Sequence, residues 1–163
     1  MADKSVQAGS TLVGLAGNST SLQDKVTKAA TFRPTDKLQL PERFNTLIVV
    51  LNIFSAVHTD ETYDFYITTT EGPASWDIVH FLQVATTGAK TFVARVHLNT
   101  RPQTVTATTL AEEASLLVSS TNAIETLAAN AVRHGPIGRR LGHSVVIAGS
   151  APSVVYEILV RGE

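Results

Sequence analysis

No cysteine occurs in the 163 residues, which removes thiol nucleophiles, disulfide frameworks and thiolate metal sites. Such a chain is compatible with a reducing cytoplasm. Charge of one sign is also missing: 13 Lys and Arg against 14 Asp and Glu leave a formal net charge of -1. No global basic field attracts nucleic acid, so direct nucleic-acid binding is not expected. Aromatic residues make up only 6%. No apolar run approaches the roughly 18 residues of a membrane helix, and Met1–Ser10 lacks a basic segment followed by an apolar stretch. Neither a membrane span nor a signal peptide is therefore expected. What is present is 44% hydrophobic residues in a chain of ordinary domain length. At this length folding buries roughly 68 to 70% of the unfolded surface without a metal or a cross-link.

The texture changes near residue 43. Residues 1–43 are small, polar or helix-breaking, as in Gly14-Leu-Ala-Gly17-Asn-Ser-Thr-Ser21, Arg33-Pro34 and Leu40-Pro41. They read as an extended N-terminal arm, with Ser21–Ala30 able to form a turn or two of helix. The arm is expected to dock on a partner, the alternative being a floppy terminus or a strand laid along the body's own sheet edge. Residues 44–163 read as a β-rich body. Thr46–Ser55 is its most apolar segment and a candidate central strand. In Tyr63–Thr70, Tyr63, Phe65 and Ile67 alternate with Asp64, Tyr66 and Thr68. After Gly72-Pro73, alternation places Trp76, Ile78, His80, Leu82 and Val84 on one face.

Thr86–Lys90 reads as a hairpin-type connection, leading to an inward row of Phe92, Ala94, Val96 and Leu98 with Arg95 and His97 outward. Gln103–Thr108 has strand character, and Leu141–Ala148 with Val154–Val160 reads as a last strand pair joined by Gly149–Pro152. Thr109–His134 stays open between strands and one or two short helices, because Thr109–Glu112 and Asn122–Glu125 each have the form of a capping box. The fold expected is mainly β: an antiparallel sandwich of jelly-roll type carrying an arm.

The chemical inventory is thin. His58, His80, His97, His134 and His143 are dispersed without metal-ligand spacing, and His58 with Asp60 and Glu61 reads as a solvated turn. His80 reads as a core histidine with a satisfied hydrogen bond. Gly149–Ser153 lacks the final glycine of a nucleophile elbow, and Gly14–Thr20 lacks the lysine and spacing of a phosphate loop. Asn18-Ser-Thr20 is a formal glycosylation sequon. Asp77 with Asp64 or Glu71 supplies carboxylates for a glycosidase pair without any second signal. No catalytic residue, cofactor or metal site is assigned, and an enzyme is not expected. Arg139-Arg140, with Arg133 and His134 upstream, is the one local basic concentration: an anion or acidic-surface site, or a solvated turn.

Thr62-Tyr-Asp-Phe-Tyr-Ile-Thr68, the Trp76-Asp-Ile strand after its Gly-Pro turn, and Gly149-Ser-Ala-Pro-Ser-Val154 together resemble the capsid decoration (cement) proteins of tailed bacteriophages. The resemblance covers roughly Leu47–Arg161 and is one of style rather than of invariant motifs. It implies a jelly-roll protein made in the host cytoplasm that binds the outer face of a major capsid protein shell, as a dimer or trimer, through many weak contacts. Leu12, Val13, Leu15, Phe32, Arg33 and Leu38 of the arm are then the expected contacts, since apolar residues outside a core need a surface to cover. Arg139 and Arg140 would pair with shell carboxylates. Two other readings stay open. One is a head-to-tail joining or tail protein, and the other a sugar-binding sandwich using Trp76, Tyr63, Tyr66 or Tyr156 as a platform.

Overall fold

The computed structural model describes residues 20–31, 38–40, 44–72, 74–99, 103–106, 114–117 and 127–163. Eleven strands form: β1 (Thr20–Lys28), β2 (Leu38–Gln39), β3 (Thr46–Ala56), β4 (Thr62–Glu71), β5 (Ala74–His80), β6 (Lys90–His97), β7 (Gln103–Thr106), β8 (Ala114–Leu117), β9 (Ala131–His134), β10 (Arg140–Ala148) and β11 (Val154–Gly162). One sheet runs β1-β11-β3-β6 and the other β2-β10-β4-β5-β9-β7-β8, with every pairing antiparallel. Set β7, β8 and β9 aside and eight strands remain. They pair first with last (β1–β11), second with seventh (β2–β10), third with sixth (β3–β6) and fourth with fifth (β4–β5). These nested pairs, rolled so that they alternate between two sheets, are the jelly-roll form of the sandwich. β7–β9 extend the second sheet beyond β5.

Alternation accounts for the core. Leu47, Val49, Leu51 and Ile53 of β3, Tyr63, Phe65 and Ile67 of β4, and Tyr156, Ile158 and Val160 of β11 are all buried between the sheets. Ala94 and Val96 of β6 are buried with them, and Phe92 and Leu98 pack on the same cluster, as the pattern predicts. Across the gap the rings of Phe65 and Tyr156 meet edge to face, 4.9 Å between centroids. The Tyr156 hydroxyl shares a hydrogen bond of 3.0 Å with Nε2 of His143. Burial pushes the Tyr156 phenol above its ordinary range. It pulls the His143 imidazole down to about 4, and the charge of Lys28 adds to the effect.

Three expectations are corrected. First, Ser21–Ala30 is not helical: residues 20–28 are an edge strand on β11, so this part of the arm takes the alternative of lying along the body's own sheet. Leu22 and Val26 pack on the core, and Lys25 Nζ lies 4.2 Å from the Phe54 ring centroid. Leu38 and Gln39 likewise pair with Leu141 and Arg140, so the sandwich begins upstream of residue 44. Second, β10 and β11 are not a hairpin but lie in opposite sheets, as do β5 and β6. Alternation shows which residues face inward, but not which sheet a strand joins.

Third, the row through Trp76, Ile78, His80, Leu82 and Val84 breaks. β5 carries a bulge: Ile67 faces Val79 whereas Thr68 faces Asp77, leaving Ile78 as the extra residue. The phase then shifts by one residue, so Val79 and Phe81 are buried and Leu82 is 51% exposed. No helix is present among the described residues. Ala114–Leu117 and Ala131–His134 are strands, and the two capping-box segments lie outside the described residues.

Two outcomes follow from these packing relations. A chain beginning at Thr20 should keep a cooperative thermal transition, whereas one beginning at Phe44 loses β1 and β2. With the burial of Leu22 and Val26 gone, it should lose at least about 2 kcal/mol in urea unfolding. For pH, His143 is neutral in both states above its unfolded value of 6.5. As pH falls from there towards about 4, the unfolded chain takes up a proton that the native one refuses, and stability declines by up to about 3 kcal/mol. His143→Gln should flatten that slope in urea titrations at successive pH values.

Candidate functional site

The two ends of the sandwich differ. At one end the β3–β4 and β10–β11 crossings are tied together. Glu61 is buried, and its Oε2 accepts from the Thr59 (2.6 Å) and Asp60 (3.2 Å) amides while Oε1 accepts from the Ala151 amide at 3.1 Å. The Thr59 amide bond, opposed by burial and aided by Ala151, pulls its carboxyl down to about 2. Ser150 donates its amide and hydroxyl to Asp60 Oδ1. The Tyr63 hydroxyl donates to the Val57 carbonyl at 2.7 Å and accepts from the Ser153 amide at 3.0 Å. His58 Nδ1 lies 2.7 Å from the Glu61 carbonyl. The His58–Glu61 group is thus a structural clasp rather than a solvated turn. The alternation 61, 63, 65, 67 already placed Glu61 inward, and that is the signal by which it could have been found.

At the other end lies a cleft of about 820 Å³. Four separate segments build it: Gln39, Leu40 and Phe44 beside β2; Glu71 and Trp76 on the β4–β5 hairpin; Leu98 and Asn99 after β6; and Pro136–Arg139 before β10. The last segment is pinned. The Leu40 amide donates to the Arg139 carbonyl, the Arg139 amide to Glu71 Oε2, and the buried Thr69 hydroxyl reaches the Gly138 and Arg140 carbonyls. A Cβ at Gly138 would sit 2.2 Å from the Thr70 carbonyl oxygen, so only glycine lets this loop close on the strand. Phe44 reaches its place by packing on Gly162, whose Cβ would lie 2.3 Å from its ring.

The cleft brings together one residue singled out for its charge and one singled out as a platform: Arg139, which is exposed, and Trp76, which is half-buried. Arg140 is exposed beside them, paired with Thr70 and Gln39 in the sheet. Leu38 pairs with Leu141. Leu12, Val13, Leu15, Phe32 and Arg33 lie outside the described residues, as do the Gly14–Gly17 segment and Asn18. Tyr63 and Tyr156 are fully buried and offer no platform, and Tyr66 is stacked on the His80 ring at 4.0 Å.

His80 meets a carboxylate. Nε2 lies 3.1 Å from Asp64 Oδ1 and Nδ1 lies 2.8 Å from the Leu127 carbonyl. Both ring nitrogens are engaged, so neither is open to take a proton from a nucleophile, and the pair ties β4 and β5 to the segment before β9. Gln83 Nε2 donates to the other Asp64 oxygen. Asp77 faces Thr68 across the β4–β5 pairing, four residues along β4 from Asp64 and three from Glu71, about 13 and 10 Å of strand, so neither carboxylate stands opposite it. Among the described residues no group of three His, Asp or Glu could hold a metal ion.

Compared with family models, curated proteins and solved structures, the chain matches none. The geometry of its two ends is therefore what carries a functional reading. Gly138→Ala should cost about 1 to 3 kcal/mol in chemical unfolding through its clash with Thr70. Glu61→Gln should lower the melting temperature at pH 7 and blunt the acid loss that the parent shows as pH falls from 4.5 towards 2, because the native carboxylate resists protonation in that window.

Proposed function

We propose that the chain is a structural virion protein that binds the outer surface of an assembled capsid shell and stabilises it. The observation that supports this most is the eight-stranded jelly roll, a form shared by viral capsid proteins, lectins and cupins. Fold alone does not choose among those. The resemblance to cement proteins tips the choice, together with the small, polar and apolar-poor sequence upstream of Thr20 that reads as an arm. Leu12, Val13, Leu15, Phe32, Arg33 and Leu38 remain the proposed arm contacts. Arg139 and Arg140, both exposed at the cleft end, would face shell carboxylates, and copies would associate as dimers or trimers.

A second reading, a sugar-binding module, is favoured by Trp76 in the cleft beside Gln39 and Asn99. Co-sedimentation with empty head shells tests the first. Full-length chain should bind saturably, and a chain beginning at Thr20 should bind at least about tenfold more weakly, a loss of about 1.4 kcal/mol. Arg139→Glu/Arg140→Glu should weaken binding most at low salt. No binding by any of these, together with saturable quenching of tryptophan emission by oligosaccharides, would replace the first reading by the second.

A further inference from the structure

Leu40, Phe44, Trp76, Leu98 and Ile137 give the cleft an apolar part to its lining, and β1 begins at the same end of the sandwich. β1 is antiparallel to β11, and Thr20 faces Val160, which in turn faces Val49 of β3. β11 ends at the cleft, where Phe44 packs on Gly162 and the Asn45 amide donates to the Glu163 carbonyl. The chain upstream of Thr20 therefore enters from the cleft end. A chain continued upstream of Thr20 in the direction of β1 would bring position 15 level with Phe44, because each lies five residues before its counterpart in the row of Thr20 and Val49. Laterally the two are separated by two strand spacings, about 10 Å. The three further residues to Leu12 span about 10 Å when extended.

We propose that the cleft is the docking site of Leu12, Val13 and Leu15 of the same chain. Thr11–Ala16 carries no charge, and Gly14 within it permits close approach of backbone to the cleft wall. Among the described lining residues Glu71 is the one carboxylate and is matched by the cation Arg139, whose amide it also accepts, so an uncharged apolar segment suits the site better than a basic one. Only residues 16–19 separate Leu15 from β1, so closure costs little entropy and the tethered segment outcompetes the same segment of another copy. The proposal concerns the free protein: on a shell the same three side chains would have to leave the cleft to make the contacts proposed above, and tryptophan emission and shell sedimentation read the two states separately, so either can fail alone.

Trp76 is the only tryptophan of the chain, so its emission reports the cleft directly. In the full chain, Leu12→Ser/Leu15→Ser should shift that emission to the red and raise acrylamide quenching about two-fold as one ring face opens to water. A chain beginning at Thr20 should do the same, and adding a peptide of residues 5–19 should reverse both changes. Unchanged emission and quenching in both variants would overturn the proposal. So would a signal in the parent that weakens on dilution, which would give the cleft to a second copy's arm. An emission change produced by added neutral or acidic oligosaccharides in a parent indifferent to the arm variants would equally overturn it.

Discussion

The phase of β4 is the constraint on which the rest of the molecule depends. Its inward row, continued one residue upstream, is Glu61, Tyr63, Phe65, Ile67 and Thr69, and all five are buried. Each does something different. Glu61 and Tyr63 bind the backbone of the two crossings at one end, Phe65 meets Tyr156 across the core, and Thr69 holds the loop that shapes the cleft at the other. A slip of one residue would turn all five outward at once and leave a carboxylate, a phenol and a hydroxyl without their backbone partners. The neighbouring β10 is bound to that phase over nine consecutive pairs without irregularity.

How much of this was legible in the sequence depended on how much apolar surface each strand buries. β4 and β6 announce themselves by alternation, and β3, β10 and β11 by runs rich in branched apolar residues. β1 does not: the only apolar residues of Thr20-Ser-Leu-Gln-Asp-Lys-Val-Thr-Lys28, Leu22 and Val26, are half-buried, and two register shifts break its period. An edge strand blunted by lysines and bulges is protected against pairing with other chains, and the same features hide it from a periodicity reading. The bulge at Ile78 is equally silent, since an extra apolar residue in an apolar run leaves no compositional trace.

The candidate site was legible in its parts but not as a whole. Arg139 stood out by local charge and Trp76 by rarity, yet their meeting depends on four segments spread over a hundred residues. Gly138 was read as part of a turn, and its actual role, the close approach to Thr70, belongs to the tertiary structure. The histidines show the opposite case. The apolar run around His80 already argued for a satisfied position over a ligand, and both its ring nitrogens find partners, although the bulge sets it in the outer row beside Tyr66 and Asp64; His143 meets Tyr156 in the core.

The two ends of the sandwich have separate tasks, and the connectivity explains why. At the Glu61 end both crossings are short, and their polar groups are spent on one another. At the cleft end, β1 begins, β6 ends and β10 starts, so both the N-terminal arm and the β7–β9 insertion join the eight-stranded frame there. An insertion that leaves and returns at one end does not disturb the nested pairs, and so can vary without cost to the frame. The proposed recognition surface therefore lies at the end where loops of the frame and the stems of the insertion meet. The opposite end is left to hold the two sheets in register.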